Sequence, residues 1–455
     1  MSGRVAGALL LAGLLGACDR TPPVVHTTPT RVILVTLDTV RADHLGTYGY
    51  PRQTSPFIDS LADRGVVFER AYATSASTAP SHASLFTARY PLQHGLRRNT
   101  IWLPTGTPTL AGAFRAAGWR TAAFVSAAVL DQITRIGQGF DTYVETSRPE
   151  GREFQDGSVT TERALAWLHD VPADASFFLW VHYFDAHAPY TPIPALRDAL
   201  GPNSEAERAS MSDWLHQHHY ITPQRDDLDR IANYDAEVRS IDDQVRRLYE
   251  HIEARPGTGL WVITADHGEG LSNHDFWPHV VELYTEQLAI PLIFHWSRGG
   301  PAPRRVPAPV VSQVDVAPTL IDLAGLSSTA LPRPEGASLR PLLEGTGMPF
   351  PLDRAVFAQY GGEHDRCEDL FALYRVDRAL ITPLRPGPER FYAIDDDRYQ
   401  TINRDGTALP EQDRLREQLR TLVARFVTGS GGYDDLTVIR DRPALERLRA
   451  LGYVQ

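Results

Sequence analysis

Five short apolar runs, separated by stretches of helical periodicity, restrict this chain more than any other feature of its 455 residues. The first, Val32-Ile-Leu-Val-Thr-Leu37, has no polar alternation, the pattern of a strand covered on both faces in the middle of a parallel sheet. Similar runs follow at residues 121–126, 177–184, 260–264 and 291–296. Their alternation with helices predicts an α/β fold with a central sheet flanked by helices. In such sheets chemistry collects just past the carboxyl ends of strands.

The longest helix is expected over residues 227–254, where Ile231, Val238, Val245 and Ile252 recur every seven positions and Pro256-Gly257 ends the pattern. Asp235, Asp242 and Asp243 are read as its solvated face. Residues 192–226, polar and rich in Pro, His and Arg, read as an insertion over the site. Asp315-Val-Ala-Pro-Thr-Leu-Ile-Asp-Leu-Ala-Gly325 reads as one helix ending at glycine. The Pro-rich stretch after it suggests a boundary, with a catalytic domain over 31–350 and a small C-terminal antiparallel subdomain over 351–455, including a helix near 411–426.

The N-terminus reads as an export signal. Arg4 precedes an apolar run from Val5 to Ala17 that is too short to span a bilayer and ends in Leu15-Gly16-Ala17-Cys18. This ending resembles the lipobox of bacterial lipoproteins. Residues 1–18 are therefore expected to be a lipoprotein signal peptide, with Cys18 as the lipidation site. Residues 19–30, with Pro22, Pro23 and Pro29, form a tether. The only other cysteine is Cys367, so an acylated Cys18 leaves no partner for an intramolecular disulfide. The expected location is the cell envelope, on the periplasmic side of a membrane and held there by the lipid. The net charge of −11, with arginine supplying every positive side chain other than histidine, gives no basic tract for nucleic acid.

The chemistry centres on Ser77-Thr78-Ala79-Pro80-Ser81-His82, a hydroxyl-bearing turn running straight into a helix. A hydroxyl there meets the positive end of the helix dipole and its unsatisfied N–H groups, which favour an alkoxide or a bound anion. Thr78 alone would read as a helix cap. Its companions change that reading. Asp38 ends the first strand, and Asp266-His267-Gly268-Glu269 follows the strand at 260–264. Two carboxylates, an imidazole and Thr78 make a four-ligand oxygen and nitrogen site for one divalent cation, zinc or manganese, with calcium as a further option. A cation lowers the pKa of a coordinated hydroxyl, so Thr78 becomes a nucleophile at neutral pH. His187 is the candidate to bind the anion or to protonate the leaving oxygen. His279 is the more plausible site residue of the pair His274 and His279, whereas His182, inside an apolar run, reads as a satisfied structural side chain.

These residues, with Leu37-Asp-Thr-Val-Arg-Ala-Asp-His-Leu-Gly-Thr-Tyr-Gly49, Ala88-Arg-Tyr-Pro-Leu-Gln-His-Gly95 and Asp315-Val-Ala-Pro-Thr319, resemble the sulfatase family within the alkaline phosphatase superfamily. The resemblance implies an alkaline-phosphatase-like sheet with a small C-terminal domain. It also implies Asp38, Thr78, Asp266 and His267 as metal ligands, Thr78 at the nucleophile position and His187 at an ester-contacting histidine. By the same resemblance His82, Asn99 and His279 fall at substrate-binding positions. Two departures stand out. The family's convertible Cys or Ser is Thr78, which cannot become formylglycine, and the Arg of its Pro-x-Arg ending is His82. The implied activity is metal-dependent hydrolysis of a sulfate or phosphate ester of a small molecule or glycan. The alternatives are a phosphoryl transferase acting on envelope lipids or glycans, and a non-catalytic glycan-binding lipoprotein.

Overall fold

The computed structural model describes residues 27–146, 154–219, 222–279, 282–346, 350–351, 353–361, 369–383, 387–407 and 409–429. Cys18, Cys367 and nearly all of the expected signal and tether lie outside them. Among the described residues no helix is long and apolar enough to cross a membrane.

The main sheet has eight strands: β1 Arg31–Leu37, β2 Val66–Phe68, β3 Arg120–Val125, β4 Thr142–Val144, β5 Phe177–Tyr183, β6 Gly259–Ala265, β7 Leu292–Trp296 and β8 Arg304–Val306. Their order is β8-β2-β7-β6-β1-β5-β3-β4. β1 lies between β5 and β6, parallel to both, and every residue of these three strands is buried. That burial is why their sequences run apolar without alternation. The first strand is central and parallel to its neighbours, as its sequence predicts, and the sheet as a whole is mixed, because β7 pairs antiparallel with β6 and with β2. Apolar content alone cannot set strand direction.

Helix α1, Thr78–Thr87, is buried along its whole length. Helix α2 spans Gly157–Asp170 and α3 spans Arg225–Glu253. α3 carries the predicted heptad stripe, but the reading of its acidic residues as solvated is overturned for two of three. Asp235 is fully buried and Asp242 nearly so. Asp235 accepts from His44 Nδ1 at 2.9 Å and Tyr50 Oη at 2.7 Å, and pairs with Arg52 at 2.9 Å. Asp242 accepts from the backbone N–H groups of Phe57 and Ile58, capping the helix Pro56–Ala62 from outside. The segment expected over the site forms two helices, Pro194–Leu200 and Glu205–His219, that pack on α3.

The C-terminal part is a four-stranded antiparallel sheet, Val356–Tyr360, Leu370–Tyr374, Arg378–Pro383 and Arg390–Ala393. Helix α4, Leu409–Gly429, packs against it around Phe357, Phe371, Leu415 and Phe426. This sheet does not stand apart. Beyond it, Tyr399 Oη donates to Asp43 Oδ2 at 2.6 Å. The Gln400 side-chain oxygen accepts from Thr285 N at 2.6 Å, and its carbonyl accepts from His274 Nε2 at 3.2 Å.

Candidate active site

Strand register builds the site. Leu37 on β1 stands opposite Ala265 on β6, so the next residues, Asp38 and Asp266, leave adjacent strands at the same level. Thr39 then takes a left-handed conformation, φ 57°, which a β-branched residue adopts only when its surroundings insist. Here Thr39 N–H donates to Asp266 Oδ1 at 3.2 Å. Its hydroxyl lies 2.7 Å from the Asp38 carbonyl and 2.9 Å from that of Ala186, turned into the backbone. Tyr234 Oη on α3 donates to the Thr39 carbonyl and accepts from Arg41 N–H, both at 2.9 Å, holding the far side of the turn. After His267 the chain passes so close to Glu286 that a Cβ at Gly268 would sit 2.0 Å from the Glu286 carbonyl, so only glycine fits.

Asp38, Asp266 and His267 each offer a ligand atom, all within 4.8 Å of one another and all buried. Thr78 Oγ1 lies 3.3 Å from His267 Nε2, and that nitrogen lies 3.4 Å from Asp266 Oδ2. The four predicted ligands are thus brought together. His267 Nδ1 donates to the Gly268 carbonyl at 2.9 Å, which fixes the tautomer and leaves the Nε2 lone pair facing the cluster. Both Asp38 carboxylate oxygens and Asp266 Oδ2 are buried without a hydrogen-bond donor among the described residues. Acceptors left this way are costly unless a cation meets them. The residues present therefore fit a divalent cation.

The electrostatics agree. Burial, and then the neighbouring Asp266, push the Asp38 carboxyl well above its ordinary range. Burial works the same way on Asp266, but His267 and the rings of His82 and His182 outweigh it and hold that carboxyl low. Burial opposes charge on His267, and the two carboxylates override it, raising its pKa. Two acids and a base compete for too few protons, an arrangement that a metal ion resolves.

The anion side differs from expectation. The first amides of α1 are already used: Ala79 N–H donates to Asn99 Oδ1 at 2.9 Å, Pro80 has none, and Ser81 N–H reaches the Ser77 carbonyl at 3.1 Å. Asn99 is thus anchored through its side-chain oxygen. His82, expected to meet the substrate, has both ring nitrogens held by protein, Nδ1 donating to the Thr78 carbonyl at 2.8 Å and Nε2 lying 3.1 Å from Thr36 Oγ1. It supports Thr78 from behind. His187, His279 and His267 form a row, with ring centroids 4.8 and 4.4 Å apart. His187 Nδ1 donates to the Ala188 carbonyl at 2.5 Å, so its Nε2 is a proton acceptor when the ring is neutral. Burial, reinforced by His279, pushes its pKa down to about 3. His274 stays outside the cluster, bonded to Glu286 and Gln400.

Two residues escaped the sequence reading. Glu269 is buried, its carboxyl raised to about 7 by burial, with His279 Nδ1 at 3.3 Å and Tyr190 Oη at 3.4 Å. Its place two residues after His267 was the available signal. Gln313 donates to the carbonyls of Ala265 and Asp266 at 3.0 and 2.7 Å, while its oxygen lies 2.7 Å from Ser81 Oγ on α1. One amide thereby clamps the helix of Thr78 to the turn of Asp266. No pattern marks such a glutamine.

A hydroxyl set among two carboxylates and an imidazole, beyond adjacent parallel strands, defines a hydrolase site for a tetrahedral ester. The sequence model of the sulfatase family matches residues 30–326, and the chain belongs to that family. It is an ester hydrolase of the sulfuric or phosphoric class. Among curated relatives it is similar to a Δ4,5-hexuronate-2-O-sulfatase of Bacteroides thetaiotaomicron, 26% identical over 350 residues, 67% of this chain and 71% of the other. Two solved structures share the fold. One, in complex with D-glucosamine-2-N,6-O-disulfate, aligns with TM-score 0.71 and 18% identity, covering 90% of this chain and 99% of the other. The second, phosphonate monoester hydrolase of Agrobacterium radiobacter, aligns with TM-score 0.69 and 20% identity, covering 88% and 96%.

Proposed function

We propose that the protein hydrolyses a phosphate or sulfate ester in two steps with Thr78 as an unmodified nucleophile. The observation that carries this reading is the Thr78 hydroxyl, buried 3.3 Å from His267 Nε2 at the edge of the Asp38–Asp266 pair. Asp38, Asp266, His267 and Thr78 would hold the cation, zinc or manganese. When bound, it supplies Lewis acidity that lowers the Thr78 pKa and neutralises charge on the ester.

Thr78 Oγ attacks phosphorus or sulfur, forming the new O–P or O–S bond as the bond to the alcohol oxygen breaks. Thr78 gives up its proton to solvent once its pKa is lowered, and His187 relays a proton from solvent to the departing alcohol oxygen. The Asn99 NH2 group and His279 bind the nonbridging oxygens. Water then cleaves the threonyl ester, restoring the Thr78 hydroxyl and releasing the inorganic anion. A threonyl ester lacks the geminal hydroxyl by which a formylglycine adduct collapses, so this second attack is obligatory. That favours phosphate esters, and the shared fold with a phosphonate monoester hydrolase supports the same direction.

The test is turnover of matched aryl sulfate, aryl phosphate and aryl phosphodiester substrates by zinc-loaded and manganese-loaded protein. Preference for phosphorus supports the reading. Absence of turnover on all three, with metal bound, would sink it. The organic part is proposed to be a small molecule or glycan, in keeping with the sugar-sulfate relatives. Export and anchoring through Cys18 are proposed from the sequence, and loss of membrane association in Cys18→Ser would support them.

A further inference from the structure

The one histidine of β5, His182, carries an inference of its own, drawn from hydrogen-bond polarity. His82 Nδ1 lies 2.8 Å from the Thr78 carbonyl, which can only accept, so that nitrogen bears the proton. In the neutral ring His82 Nε2 is then an acceptor, and its partner at 3.1 Å, Thr36 Oγ1, spends its single proton there. Thr36 Oγ1 also receives Trp180 Nε1–H, a group that only donates, at 2.9 Å. Its remaining neighbour, His182 Nδ1 at 3.0 Å, must therefore donate as well. That leaves His182 Nε2 as a bare lone pair, fully buried and, among the described residues, without a hydrogen-bond partner, 3.3 Å from Asp38 Oδ2, itself an acceptor with no donor among them.

Two buried lone pairs facing each other are repulsive unless a cation lies between them. The spacing suits one. Ligand atoms bound at about 2.0–2.1 Å to a common zinc ion stand about 3.3 Å apart, the separation seen between Thr78 Oγ1 and His267 Nε2 and close to that between His267 Nε2 and Asp266 Oδ2. Strand register explains the placement: His182 stands opposite Thr36 on β1, two residues before Asp38.

We propose that His182 is a direct ligand of the divalent cation held by Asp38, Asp266 and His267, supplying a second imidazole to the site. The assignment corrects the expectation that His182 is a satisfied structural side chain. It rests on the metal-site reading above and not on the identity of the nucleophile. The chain Thr78 carbonyl, His82, Thr36, His182 then runs from the backbone of the nucleophile to the metal ion.

The test is X-ray absorption at the zinc edge of the zinc-loaded full chain, in which imidazole ligands are counted by their outer-ring scattering. Two imidazoles are expected in the wild type and one in His182→Gln, with zinc affinity in competition with a chromophoric chelator falling at least 100-fold. A single imidazole in the wild type overturns the proposal, whatever the variant does, so a variant that fails to fold does not blunt the test. One imidazole in the wild type with weakened zinc in His182→Gln also overturns it, placing His182 behind Asp38. Failure to take up zinc at all removes the metal reading and this proposal together. Two imidazoles in a protein that hydrolyses none of the three aryl esters would uphold the ligand while removing the proposed reaction.

Discussion

The Nδ1–H of His82 is bonded to the backbone carbonyl of Thr78, four residues earlier on the same helix, at 2.8 Å. An imidazole placed one turn along α1 therefore reads out the position of Thr78 through its main chain. The ring is fully buried, tilted against Trp180 and edge to face with His182. Its contribution is to hold Thr78 still, which is where the predicted consequences begin.

Replacing Thr78 by Ala should lower kcat for the preferred aryl ester by at least about a thousandfold, because the covalent route is lost and only binding and polarisation remain. Thr78→Ser keeps the hydroxyl and should retain measurable turnover. Circular dichroism and zinc content are expected to match wild type in both, since Asp38, Asp266 and His267 stay in place. Undiminished turnover in Thr78→Ala would end the nucleophile assignment.

Asn99→Asp separates two duties of one side chain. The new carboxylate still accepts Ala79 N–H at the start of α1, where a negative charge is favourable. It no longer offers an NH2 group, and it repels an anion. The expected result is a fall in kcat/KM of about 100-fold with little change in Tm. An equal loss of Tm and activity would mean that Asn99 only caps the helix.

Asp235→Ala should destabilise the fold by about 3–5 kcal/mol, because it strands Arg52, His44 and Tyr50 around a buried space. Urea unfolding measures this. Asp243, on the same helix, lies in a partly exposed pair with Arg246, and Asp243→Ala should cost about 0.5 kcal/mol or less.

Glu237 gives a pH dependence of stability. Burial, aided by Asp185, raises its pKa from 4.5 to about 8, with the Thr191 N–H acting in the opposite direction. A group whose folded pKa is raised contributes stability that is complete below pH about 4.5 and is lost as the pH climbs through about 8. Glu237→Gln stays neutral throughout and can still accept from Thr191. Its Tm should match wild type near pH 5 and exceed it near pH 8.5. Parallel curves across that range would refute the assignment.

The parts of this molecule that could be read in the sequence are those in which local pattern and burial agree. The uninterrupted apolar runs at β1, β5 and β6 located the centre of the sheet, and the residues after β1 and β6 located the cluster of Asp38, Asp266 and His267, because a strand end fixes where the next side chain goes. Direction of β7 and burial of Asp235 and Asp242 were hidden, since both depend on partners far away in the chain: β2 in one case, Tyr50 and Phe57 in the other. Gln313 and His182 were hidden for a different reason. Each is defined by which of its atoms donate, and a sequence does not record hydrogen-bond polarity.

The bonds from Tyr399 to Asp43 and from Gln400 to Thr285 and His274 have a bearing on biosynthesis. The ribosome releases Asp38, Thr78 and His267 long before residue 400, yet the segments carrying Asp43, His274 and Thr285 are pinned by that late stretch. A chain still being made, or one truncated ahead of Tyr399, therefore holds Asp38, Thr78 and His267 without these three tethers to Asp43, Thr285 and His274.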